Sequence, residues 1–287
     1  MVVGIAAVST SGPLMAATAA PALAIAFWRN LMASGLLVPF ATWRNRAELR
    51  SMTGGEWRFA LLAGVLLAAH FATWVPSLTF TSVSSATALV STQPIWAALL
   101  AHRGGHRLPR RAWAGIGIAV GGAALVTGVD VTVSGRALAG DALAVAGGML
   151  AAGYTVAGHR VRQSVSTASY TAVCYTMASV VLVLICLVGR QPLGGYSGET
   201  WLKLAAVTLG PQLLGHSLFN RVLRTTSPTV VSLAILFEVP GATMLAAVWL
   251  GQHPHAGAVP GLVLLLVGLG LVIAARDRST PPAVPVE

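Results

Sequence analysis

Long apolar runs separated by short polar clusters recur from one end of this chain to the other. Each is roughly 17–25 residues, the length a helix needs to cross the hydrocarbon core of a bilayer. About ten meet that criterion, over residues 3–20, 22–42, 57–77, 83–101, 112–128, 141–158, 168–188, 201–220, 229–250 and 257–275. No connection between them is long enough for a soluble domain. The pattern predicts an all-α membrane protein of about ten transmembrane helices. Composition agrees: the 287 residues are 55% hydrophobic and 9% charged, with a mean hydropathy of +0.76. The first run closes on Ala17-Thr18-Ala19-Ala20-Pro21, small residues like those of a signal-peptide cleavage site, but no basic residue follows Met1. It is therefore taken as a helix. Cys174 and Cys186 lie on one run, about 18 Å apart along a helix, too far for a disulfide.

A net charge of +10 would suit a nucleic-acid binder only if the basic residues were gathered on a soluble domain, and they are not. With ten spans and an inside N-terminus, fourteen of the eighteen Lys and Arg fall on the inner loops and tail, from Arg44, Arg46, Arg50 and Arg58 through Arg160 and Arg162 to Arg276 and Arg278. Arg136, Arg190 and Lys203 remain outside. This bias places both termini in the cytoplasm, as expected for a multi-pass protein of the plasma (inner) membrane. Arg29, inside the second run, is left unexplained.

Shifted by 146 residues, the chain matches itself without gaps at His70 and His216, Pro94 and Pro240, Gly64 and Gly210, Gly105 and Gly251, Gly115 and Gly261, and Gly122 and Gly268. Such a register argues for an internal duplication. Five spans in each half force the second half to enter the membrane upside down. The expected domains are 1–128, a first five-helix repeat, and 138–287, a second with a short cytoplasmic tail. In inverted repeats of this kind the substrate site lies near the midplane, where Gly or Pro interrupts helices. The interruptions here are Gly12-Pro13, Pro94, Gly210-Pro211 and Pro240.

The five-plus-five pattern, the paired stretches 92–101 (Thr-Gln-Pro-Ile-Trp-Ala-Ala-Leu-Leu-Ala) and 238–247 (Glu-Val-Pro-Gly-Ala-Thr-Met-Leu-Ala-Ala), the Ala26-Phe27-Trp28-Arg29 entry and Leu250-Gly251-Gln252 together resemble the EamA-type branch of the drug/metabolite transporter superfamily. The resemblance covers essentially the whole chain. It implies export of amino acids, other small metabolites or toxic compounds through a central cavity between the halves. The chain departs from the family pattern where Val239 separates Glu238 from Pro240 and where Gln252 replaces an acid.

Ionisable residues in hydrocarbon cost at least ~2.5–3.5 kcal/mol at a helix centre, so they are expected to face protein or water. Arg29 and Glu238 lie at compatible depths, Glu238 near the middle of the ninth run. They bracket a substrate that carries both charges, pair with each other, or leave Arg29 to snorkel to the outer headgroups. Gln212, His216 and Asn220 follow at i, i+4 and i+8, one polar stripe of an α-helix, and His70 and Trp74 occupy the matching register of the third run. The histidines bind substrate, titrate during transport, or bond neighbouring helices. Gln93, beside Ser91 and Thr92, precedes a proline that frees a carbonyl. Trp28, Trp74, Trp96, Tyr154 and Tyr175 are candidates for aromatic walls or for packing.

Gly115 to Gly122 contains Gly-x-x-x-Gly inside a run and reads as close helix packing. His253-Pro254-His255 lacks further metal ligands, and no nucleophile elbow, zinc motif, nucleotide loop or acid pair points to an enzyme. The expected function is export of small organic metabolites, amino acids or related amphipathic compounds, by alternating access. Export of hydrophobic cations is the rival within transport, and a non-transporting scaffold or sensor the rival outside it. No metal or cofactor is implied. The partners expected are a small-molecule substrate and the lipid bilayer, not nucleic acid, with a homodimer left open.

Overall fold

The computed structural model describes residues 2–105, 107–215, 218 and 235–277, without the side chains of 130–133, 276 and 277. Among these residues there are helices and turns and no strand. The helices are α1 (Val2–Ser9), α2 (Ser11–Ala16), α3 (Ala22–Arg44), α4 (Arg46–Ser51), α5 (Gly54–Ser77), α6 (Val83–Val90), α7 (Gln93–Arg103), α8 (Arg110–Val133), α9 (Gly135–Val161), α10 (Thr167–Val188), α11 (Gly198–Val207), α12 (Glu238–Leu250) and α13 (Val259–Asp277). A π-wound segment, Thr208–Gly215, continues α11.

Seven helical stretches among the described residues are long and apolar enough to cross a membrane, counting α6 with α7 as one and α13 with the short turn before it. The sequence predicts about ten. The first run is cut into α1 and α2, a stretch of Val2–Ala16, and the ninth is described only from Ile235 with its helix beginning at Glu238. The eighth is described as a continuous stretch only to Gly215.

Helix starts follow local chemistry. Thr53 and Glu56 form a reciprocal capping box before α5, and the hydroxyls of Ser82, Ser166 and Ser197 accept backbone N–H groups at the starts of α6, α10 and α11. Helix breaks follow proline. Lacking an N–H, a proline leaves the carbonyl four residues earlier without its helical partner. The residues that precede Pro13, Pro94 and Pro211 by that spacing are Ser9, Val90 and Val207, and these end α1, α6 and α11. For Pro240 the residue is Leu236, which begins the turn before α12. Pro39 and Pro76 sit in α3 and α5 without interrupting them.

The helices pack in two groups. In one, α5 lies against α9 and α10, and α10 against α3. In the other, α1 lies against the π-wound segment and α12, and α12 against α6. To the side, α8 and α13 pack on each other through glycine. A β-carbon on Gly122 would stand 2.6 Å from the Gly261 carbonyl oxygen, and one on Gly261 2.8 Å from that of Gly122. Gly115 and Gly268 repeat this reciprocity at 2.8 and 2.6 Å. Pairing 115 with 268 and 122 with 261 makes the two helices antiparallel; the packing glycines are spaced by seven, whereas Gly117 and Gly121, the Gly-x-x-x-Gly pair expected to pack, meet nothing within 4 Å. Gly122→Ala is expected to cost about 1–3 kcal/mol of stability through overpacking. Gly117→Ala, which meets nothing within 4 Å, should cost almost nothing. Thermal midpoints of the detergent-solubilised variants check both.

At the arginine-rich end a polar clamp ties α4 to the start of α10. Glu48 accepts from the Ser166 backbone N–H at 2.8 Å, from the Ser166 hydroxyl at 2.5 Å and from Ser169. Partial burial disfavours the Glu48 charge, but these bonds and one from Asn45 outweigh it and hold the carboxyl below its ordinary range. Ser164 donates to Glu56 in the same way beside it.

Candidate functional site

All four proline breaks border one cavity of about 380 Å³. Val8 and Ser11 reach it from the first break, Val90, Ser91, Gln93 and Pro94 from the second, Pro211 and Gln212 from the third, and Leu236 and Glu238 from the fourth. The remaining wall comes from α3, α5, α9 and α10. The breaks matter chemically because they turn helical backbone and short polar side chains toward a space that can hold water or a solute.

Arg29 faces this cavity from α3 and is only 2% exposed. Its Nε donates to Gln212 Oε1 at 2.6 Å, Nη1 approaches the Met15 sulfur at 3.2 Å, and Cζ lies 4.4 Å from the centre of the Phe71 ring. The guanidinium is thus oriented by an amide, a thioether and an aromatic face, all neutral. Gln212 is itself steadied by a 3.5 Å contact from its Nε2 to Asn30 Oδ1. From the sequence, a permanent pair between Arg29 and Glu238 was one of the expected arrangements. Glu238 lines the same cavity but is not within ion-pairing distance. Among the described residues the only ion pair joins Lys203 to Glu199, at 2.7 Å. The buried part of the cavity therefore presents Arg29 and, apart from it, the carboxylate of Glu238 to whatever occupies it.

Glu238 was expected near the middle of a helix. It instead opens α12, immediately after the turn at Leu236 and Phe237. Pro240 is the cause, and the position suits a carboxylate because the partial positive charge of a helix N-terminus favours it.

The other expected residues divide. His70 lines the cavity, and its Nδ1 lies 2.9 Å from the Gly147 carbonyl oxygen, a bond between α5 and α9. Its ring stacks on Trp74 with centroids 5.5 Å apart. Trp74 lines the cavity at 6% exposure, and Gln93 lines it while donating to Thr155 Oγ1 at 2.6 Å. His216 and Asn220 lie outside the described residues. The stripe they were to form with Gln212 assumed α-helical winding; Gln212 itself sits in a π-wound segment, Thr208–Gly215. Of the candidate aromatic walls, Tyr154 and Tyr175 line the cavity with Trp74. Trp28 does not: its indole donates to the Leu193 carbonyl at 2.9 Å and meets Trp201 edge-on. Trp96 bonds Thr92 on its own helix at 3.1 Å. Sequence reasoning missed Thr155, Tyr170 and Thr171, which carry no signal apart from their apolar surroundings. It had counted Arg162 only as a loop charge.

A bundle of apolar helices around a cavity that is built at helix breaks and carries charged and amide side chains has the form of a membrane transporter. A family model for the EamA-like transporter family matches residues 1–128 and 138–274, and the chain belongs to that family. No curated protein matches it in sequence. A crystal structure of a protein 18% identical superposes with a TM-score of 0.67 over 97% of this chain and 98% of that one, a likeness of fold.

Proposed function

We propose that this protein is a secondary transporter of the plasma (inner) membrane that exports small organic metabolites, amino acids or related amphipathic compounds, by alternating access. The observation that carries the proposal is the pair of separated, oppositely charged groups on one cavity. Arg29 is held by neutral neighbours and offers hydrogen-bond donors to a carboxylate, Glu238 offers an acceptor to an ammonium, and the two groups are not in direct contact. Trp74, Tyr154 and Tyr175 suit the apolar part of such a molecule.

The mechanism rests on two inverted five-helix repeats, 1–128 and 138–287. Two observations support them, and a third bears on which side the cavity opens to. The break before Gln93 and the break before Glu238 stand about one repeat offset apart. Gly115 with Gly268, and Gly122 with Gly261, form a reciprocal antiparallel set that the offset of 146 maps onto itself. The cavity lining reaches Arg162 at the arginine-rich end but stops at Arg29 and Trp74 toward the other, as in a carrier open to one side. The positive-inside bias makes the open side the cytoplasm, with both termini there. In this account rocking of the repeats carries the site to the other side.

Export of hydrophobic cations draws support from Glu238 among aromatic rings, but Arg29 on the same cavity counts against it. Efflux from proteoliposomes loaded with single amino acids or cationic dyes, with and without a pH gradient, separates the two. Saturable amino-acid efflux is expected. Transport of the dyes alone would overturn the proposal, and transport of neither would leave the scaffold or sensor.

A further inference from the structure

We infer that the cavity meets the carboxylate of its substrate at two guanidiniums in series, Arg162 at the mouth and Arg29 at the deep end, and that it thereby selects against compounds of net positive charge. The inference rests on the transport reading above and adds to it the charge class of the substrate and the task of Arg162.

Arg162 follows directly on the last residue of α9, is exposed, and lines the cavity. Its backbone N–H bonds the Gly158 carbonyl at 2.9 Å, but its guanidinium has no hydrogen-bond, ion-pair or aromatic partner among the described residues. Arg160, two positions earlier, is committed: its Cζ lies 4.9 Å over the Phe59 ring. An arginine at a cavity mouth with all its guanidinium donors available is placed to receive an anion.

The two guanidiniums are too far apart to grip one small molecule together. Tyr154 and Arg162 both line the cavity, eight residues apart on α9 and its cap, so the wall extends about 12 Å along that helix. Arg29 is deeper still. Ser34 of α3 bonds Thr176 of α10 at 2.8 Å, and Arg29 precedes Ser34 by more than a turn toward the end of the bundle opposite the α9–α10 loop. A carboxylate therefore meets Arg162 first and Arg29 afterwards.

The charge balance points the same way. Among the described lining residues the fixed charges are Arg29, Arg162 and Glu238, two positive and one negative. A cavity with low-dielectric walls and a net positive charge concentrates anions at its mouth and repels cations. An organic cation that enters at the arginine-rich end would meet the charge of Arg162 in the same cavity as its counter-charge Glu238.

The test is transport kinetics in proteoliposomes with substrate presented on the arginine-rich side, using glutamate, glutamine and lysine as compounds of similar length and different charge. Wild-type protein should show a preference in the order glutamate, glutamine, lysine, and a KM for glutamate that rises with ionic strength. Arg162→Gln should raise that KM about tenfold at low salt, with the maximal rate changed less than about twofold and most of the salt dependence gone. Arg162→Lys should retain the wild-type salt dependence, and Arg160→Gln, which removes a neighbouring charge off the cavity, should leave KM where it was. An Arg162→Gln protein with wild-type KM and salt dependence, or a preference for lysine over glutamine, overturns the inference and leaves the transport reading standing. Wild-type protein that moves none of the three compounds overturns both. Should Arg162→Gln not assemble, a wild-type KM for glutamate that is indifferent to salt is by itself the overturning result.

Discussion

Arg29→Lys should assemble normally and bind carboxylate-bearing substrates at least tenfold more weakly, a loss of about 1.4 kcal/mol or more. The planar guanidinium divides its work. Nε is committed to Gln212 and Cζ lies over Phe71, which leaves the terminal nitrogens aimed by those contacts. An ammonium has no second plane of donors, cannot hold the Gln212 bond and a carboxylate in the same fixed geometry, and stacks less well on the ring. Arg29→Ala should weaken binding further. A variant that removes one member of a buried ion pair would strand the other, at about 3–5 kcal/mol. Arg29 and Glu238 make no contact-distance ion pair, so the Arg29 variants should reach the membrane without a compensating change at Glu238. KM values for an amino acid and for its decarboxylated analogue, compared at equal membrane abundance, check this. The analogue should hardly notice the change. Normal amino-acid efflux by a well-expressed Arg29→Ala protein would end the carboxylate role.

Glu238→Gln should show the opposite selectivity. The amide keeps the shape of the carboxylate and its place at the start of α12 but removes the charge that an ammonium would seek. Substrates with an ammonium group should lose at least about tenfold in affinity, since breaking a buried charged contact costs about 2–5 kcal/mol. Deaminated carboxylic acids should bind as well as before or better, because the remaining lining charge is positive. The two variants together also separate the rival substrates. For a hydrophobic cation Glu238→Gln is disabling and Arg29→Lys is harmless, whereas for a zwitterion both are costly.

Several features of the site could be read from the chain. Arg29, Gln93, Gln212 and Glu238 stand out because charged and amide side chains are expensive in hydrocarbon, and each borders the cavity. His70 stands out for the same reason and also makes the interhelical bond that was its plainer alternative. The four proline interruptions were legible because a missing N–H acts locally, whatever surrounds it. Aromatic residues were not legible in this way. Trp28 and Trp74 are equally apolar from the sequence side, yet one anchors a loop carbonyl and the other lines the cavity, since rotation of a helix about its axis leaves no trace in hydropathy.

The sequence by itself determined that this is a multi-pass membrane protein, which end of the bundle is rich in arginine and where helices must break. Each of these follows from the transfer cost of single side chains or from the covalent geometry of proline. Only the tertiary structure decided that Arg29 rests on neutral partners apart from Glu238, that a π-wound turn at Pro211 brings Gln212 to it, and that Arg162 opens onto the cavity. Those outcomes depend on how helices far apart in the chain face one another, a matter of packing between surfaces that are all apolar and that local pattern cannot rank.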